Sequence, residues 1–256
     1  MNYSQQQITA LKDLLYKIAD DQLIIGHRNS EWTGLGPLLE EDIAFSSIAQ
    51  DKLGQSLHLY EILHQLGEKD PDTIAFTRNV DKFKCCHFVE YPIGEYDFSL
   101  MRNFLFNHAE AARFSMLSGS SFEPLQNLAK KYRGEIKYHV MHADTWIKQL
   151  SRATEESCIR MQKALNECFN LALGIFEESD YVNLLHEMKI FEGENALKDK
   201  WLENISPVIK EASLNLPENK TRKPAFGGRK GHHTEHLQPL LDEMSVVFRL
   251  DPKAEW

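Results

Sequence analysis

Apolar residues recur along this chain at spacings of three, four and seven, the period of a helix with one buried face, and no stretch alternates as a strand would. The first such segment runs from about Ser4 to Trp32 on Ile8, Leu11, Leu15, Ile18 and Ile25. TGLGP then breaks the pattern, and Pro37 is expected at the first position of a second helix reaching Leu66 and ending at Gly67. Its stripe is Leu38, Glu41, Phe45, Ile48, Lys52, Gln55, Leu59 and Ile62. Glu40, Glu41 and Asp42 fall in its first turns, where the helix dipole favours carboxylates. Residues 67–94 read as irregular, with a short helix about Asp72–Arg78 and a turn at Pro92–Gly94.

A third helix is expected over Tyr96–Leu117 with Leu100, Phe104, Asn107, Ala111 and Phe114 inward. A fourth, taken as continuous from Phe122 to Leu150, carries Leu125, Ala129, Tyr132, Ile136, His139, Ala143, Trp146 and Leu150. The fifth opens at TEES, with Thr154 as cap and Ser157 three residues on, and continues to Glu178. Weaker helices follow near 181–188 and 194–213, then the loop PENKTRKPAFGGRKG and a last helix from Thr234. Long helices joined partly by tight turns fit an all-α antiparallel bundle. The expected organisation is one domain over 1–256, with the core bundle at about 4–178 and the C-terminal helices and loop at 179–256.

Composition narrows this without redirecting it. The formal charge is −9, from 29 basic and 38 acidic residues, with no basic block, which argues against nucleic acid and against a polybasic membrane anchor. Apolar runs are short of a membrane span, and the N-terminal stretch lacks a signal peptide's pattern. Cys85, Cys86, Cys158 and Cys168 have no CxxC spacing and read as reduced thiols in a cytoplasmic protein.

Chemistry would have to come from polar positions on the inward stripes. Bundles that hold two irons supply a Glu from each of two helices and Glu-x-x-His from each of two others. Across a turn at 35–37, Lys52 should lie level with residues 20–23, where Asp20 and Leu23 stand. Across a hinge near 120, Ile136 and His139 should lie level with 104–107, where Asn107 points inward. The cross-section therefore holds Asp20, Leu23, Lys52, Gln55, Asn107, Ile136 and His139. An ammonium cannot ligate a metal while protonated, and this set cannot balance two dications. The simplest reading is a lost di-metal site, with Lys52 paired to Asp20 or another carboxylate and His139 a satisfied core histidine. No metal is expected.

Other motifs read blandly. HHTEH sets His233 and His236 three apart at a helix start, for which zinc is the alternative reading, but it lacks the metalloprotease His spacing and no cysteine is expected nearby, so it reads as a surface helix start capped by Thr234. GGRKG, with Arg222, Lys223, Arg229 and Lys230, reads as a solvated loop. Trp32, Trp201 and Trp256 are candidate interface anchors, and Trp146 is expected in the core.

LGQSLHLY after LEEDIA, EIKYHVMHADTW, TEESCIRMQKAL and GGRKGHHTEHLQPLLDEM together resemble the C subunits of bacterial phenylacetyl-CoA 1,2-epoxidases, over nearly the whole chain. The resemblance implies a ferritin-like bundle that lacks the di-iron site held by a homologous A subunit. The related catalytic subunit places a Glu on Lys52, a His on Gln55, a Glu on Ile136 and a His on His139. Its first-helix Glu falls at or near Leu23, and its third-helix carboxylate near Asn107. The implied role is a structural subunit in aerobic phenylacetate catabolism, partnered by the A subunit, a B subunit and an NADPH-dependent reductase carrying flavin and an iron–sulfur centre, with no cofactor of its own. Alternatives are an autonomous metal-dependent oxidoreductase using His139 and Asp20, and a CoA-thioester binding module using the basic loop. Whether the chain also self-associates is left open.

Overall fold

The computed structural model describes residues 3–218 and 222–251, and Trp256 lies outside them. Among the described residues the regular structure is entirely helical, and no helix is long and apolar enough to cross a membrane. The chain divides into two compact units, Met1–Pro92 with Gly227–Trp256, and Ile93–Phe226. The segment from Gly227 onward thus belongs with the N-terminal helices, not with the helices that precede it.

The first unit is built on α1 (Gln5–Ser30) and α2 (Leu39–Gln65), an antiparallel hairpin. Ser4 opens α1 with a reciprocal capping box to Gln7, which satisfies donors at the helix start. Gly26 lets the two helices close: a Cβ there would stand 3.1 Å from the Leu53 side chain and 3.3 Å from the Lys52 Cβ. Pro37 lies outside α2, whose N-cap is the extended Leu38. The reason is the connection, where the Asp42 carboxylate accepts from Gly34 N (2.9 and 3.0 Å) and Gly36 lies against the Asp42 backbone, so the chain is still turning at Pro37. Asp70 caps α3 (Pro71–Thr77), and a single turn, α4 (His87–Glu90), packs on α1.

In the second unit, α5 (Tyr96–Leu117) coincides with its expected span. The expected fourth helix is two: α6 (Glu123–Lys131) and α7 (Arg133–Ala153), broken at Tyr132, where φ and ψ are −86° and 0°. Gly134, a weak helix former, follows the break. α7 buries Ile136, His139, Ala143, Ile147 and Ser151, leaving Trp146 only half-buried. A straight helix drifts off a strict heptad, and the stripe has moved on by one residue. α8 (Glu155–Ala172) starts on Thr154 with Ser157 completing the capping box. After α9 (Val182–Glu187), α10 (Glu194–Glu211) packs on α5, and its Trp201 donates to Leu105 O at 2.9 Å between the rings of Phe169 and Phe176.

The chain returns to the first unit with α11 (Leu237–Met244) and α12 (Val246–Leu250). The last helix therefore starts three residues beyond Thr234.

Candidate functional site

Lys52 and Gln55 are fully buried on α2, as the stripe required. Ser56 Oγ donates to Ala19 O at 2.9 Å, and Gly26 abuts Lys52 and Leu53. These two contacts bracket Leu23, which lies level with Lys52 and Gln55. Asp20 is one turn away and already engaged. Its carboxylate accepts from Tyr60 OH at 2.6 Å, from Arg78 at 2.6 and 3.1 Å, and from Lys84 N at 2.7 Å. The expected Lys52–Asp20 pair is therefore not formed. A planar guanidinium matches both carboxylate oxygens, which an ammonium cannot do. Burial works against the charge on Arg78, yet Asp20 and Tyr60 outweigh it and hold its pKa above the usual value. Burial and the Asp20 charge push the Tyr60 hydroxyl well up.

Asn107, Ile136 and His139 are buried in the second unit. His108 Nε2 meets Asp144 Oδ1 at 2.8 Å, and the Phe114 and Tyr132 ring centres lie 6.5 Å apart. Ile136 and His139 fall between these brackets and Asn107 just outside them. A hinge near 120 would have paired His108 with residue 132; the intervening α6 and the break after it move the pairing along α7. Ala111, Phe114, Gly134, Ile136 and Val140 line a mainly apolar cleft of about 470 Å³. Glu110, fully buried one turn from Asn107 and paired with Arg113, was missed because its neighbour Ala111 was read as the inward position.

Chemically, Leu23 and Ile136 offer no ligand atom, Gln55 and Asn107 offer neutral amides, Lys52 brings an amine and no negative charge, and Asp20 is committed to Arg78. His139 alone supplies an imidazole. These residues do not fit a pair of divalent metal ions, which need about four carboxylates for charge balance.

The C-terminal motif does more than the sequence indicated. A Cβ on Gly228 would stand 2.2 Å from Cys85 O, and one on Gly231 2.5 Å from Asp81 O, so glycine lets this loop lie directly on residues 81–86. Arg229 is buried, not solvated: it donates to both Asp21 oxygens at 2.8 and 2.7 Å and to Lys84 O at 2.8 Å. Burial opposes its charge and Asp21 more than restores it, so its pKa is raised. His233 Nδ1 lies 2.8 Å from Glu90 Oε1 and 3.9 Å from Cys85 Sγ, so a cysteine remote in sequence is its neighbour. Thr234 is not a helix cap; its N and Oγ1 both donate to Glu90 Oε2 at 2.7 Å. His236 instead packs at a tilt against Tyr91, ring centres 4.9 Å apart, and its carbonyl accepts from Arg28.

The family described as phenylacetic acid catabolic protein matches residues 2–256. The chain belongs to that family. Among its curated relatives is the C subunit of the 1,2-phenylacetyl-CoA epoxidase of Escherichia coli (strain K12), 32% identical over 241 residues that cover 94% of this chain and 96% of that protein. As a member of the phenylacetic acid catabolic protein family the chain has the ferritin-like helical fold class.

Proposed function

We propose that this chain is a structural, non-catalytic subunit of a 1,2-phenylacetyl-CoA epoxidase, pairing with a homologous di-iron subunit that performs the oxygenation. The observation that carries this reading is Lys52, a fully buried lysine at the α2 position where such a partner bears a metal-binding Glu. Gln55 one turn on, and Ile136 on α7, extend the same pattern of exchanged ligands. The full-length similarity to a protein named as the C subunit of such an epoxidase supports membership in a multi-subunit complex. Apolar side chains left at the α1–α2 connection support a docking role: Leu35, Leu38, Leu39 and Ile43 are 64, 52, 72 and 58% exposed. Obligate partners typically cover about 2,000 Å² or more of such surface. On this reading the protein is cytoplasmic, the iron sits in the partner, and flavin and iron–sulfur centres sit in the reductase.

The test measures NADPH- and oxygen-dependent consumption of phenylacetyl-CoA by this chain alone, by the di-iron partner with its reductase, and by all together. No turnover alone and partner turnover that depends on this chain are expected. Iron-dependent turnover by this chain alone, abolished in His139→Ala, would establish the autonomous oxidoreductase instead. Saturable heat on titrating CoA into the isolated chain would favour the thioester-binding module.

A further inference from the structure

We propose that Cys85, Glu90 and His233 form a binding site for one divalent cation of the zinc class, which staples the C-terminal segment to the end of the α3–α4 connection. The three ligand atoms come from two stretches far apart in sequence. Sγ lies 3.8 Å from Oε1 and 3.9 Å from Nδ1, and Oε1 lies 2.8 Å from Nδ1. A triangle with those sides has its centre about 2.1 Å from every corner, within the range of zinc–nitrogen and zinc–oxygen bonds and slightly short for zinc–sulfur. Sulfur, imidazole and carboxylate together are a zinc-type donor set, not one for magnesium or calcium.

The groups behind the ligands are arranged as metal ligands require. Phe83 O accepts from His233 Nε2 at 3.0 Å; a carbonyl only accepts, so Nε2 carries hydrogen and Nδ1 of the neutral ring is the lone-pair atom facing Glu90 and Cys85. Thr234 holds Glu90 Oε2 with two hydrogen bonds, which turns Oε1 toward the other ligand atoms. Cys85 and Glu90 are fully buried, and only 3% of the His233 side chain is exposed.

Charge also balances. With Nδ1 as a lone-pair donor, binding releases the Cys85 thiol proton, and a dication with one thiolate and one carboxylate is neutral, as burial demands.

The full-length protein, without a histidine tag, is exposed to zinc, freed of excess by gel filtration and assayed for metal by mass spectrometry. About one zinc per chain is expected, with Cys85→Ala lowering it at least about tenfold. His232→Ala, which alters the motif without touching the ligand set, should keep the metal. Cys85→Ala preserves the Glu90–His233 pair, and its melting temperature without zinc should match the parent's, so metal loss is read separately from unfolding. Cobalt in place of zinc should give a near-ultraviolet thiolate-to-metal absorption band that Cys85→Ala lacks. Zinc retained in Cys85→Ala, or a parent protein that takes up no zinc and shows no such band, overturns the proposal.

Discussion

Asp21 and Arg229 stand 208 positions apart in the chain and meet as a buried two-pronged ion pair, with nitrogen–oxygen distances of 2.8 and 2.7 Å. Asp20 makes the equivalent pair with Arg78, so consecutive aspartates on α1 each anchor a different distant segment. Asp20 stood among the candidates for metal chemistry, and the work of both carboxylates is to hold irregular chain against a helix.

Removing one partner of the Asp21–Arg229 pair leaves a buried uncompensated charge. Arg229→Met should lose about 3–5 kcal/mol of stability. Adding Asp21→Asn to it should cost far less than the two single losses summed, by more than about 1 kcal/mol in a double-mutant cycle. Urea midpoints of the four proteins check this, and additive losses would show that the pair does not act as a unit.

Gly228→Ala should destabilise by about 1–3 kcal/mol or more, because its methyl group meets the Cys85 carbonyl at 2.2 Å. Gly54→Ala, inside α2 with nothing within 4 Å of the added carbon, should instead stabilise by about 0.5–1 kcal/mol. Thermal melts of the two variants should move in opposite directions.

Burial and the neighbouring Arg28 lower the His27 pKa from 6.5 to about 4. On acidification the unfolded chain takes up this proton first, so the His27 contribution is complete above pH 6.5 and is lost as pH falls to about 4. The loss amounts to about 2–3 kcal/mol. Comparing urea midpoints at about pH 7.5 and about pH 4.5, His27→Gln should lose less stability than the parent on acidification. Equal losses would remove His27 from the account.

Cys85, Cys86 and Cys168 are buried, and burial raises the pKa of each thiol, whereas Cys158 is partly exposed. The nucleophile is the thiolate. In the native protein without denaturant, one thiol should react quickly with a disulfide reagent and three slowly, and Cys158→Ser should remove the fast phase. Fast labelling of several thiols would contradict the burial pattern.

The helices were legible because helix formation and one-sided burial leave a local periodic trace: Tyr96–Leu117 could be read to the residue, and so could the Thr154 cap. Lys52 and Gln55 stood out as polar residues on an otherwise apolar stripe. The break at Tyr132 was hidden, because apolar spacing continues across it while the backbone hydrogen-bond ladder does not.

What the sequence determined by itself is the all-α class and much of the inward face of α1 and α2, with Lys52 and Gln55 on it; on α5 and α7 it misplaced Glu110 and Trp146. The tertiary structure alone decided that Arg78 and not Lys52 neutralises Asp20, that Arg229 is buried against Asp21, and that Cys85 meets His233 across 148 positions. The reason is physical. A stripe is set by neighbours three and four residues away, whereas an ion pair or a ligand set depends on where the chain returns after a long loop, and no local spacing encodes that return.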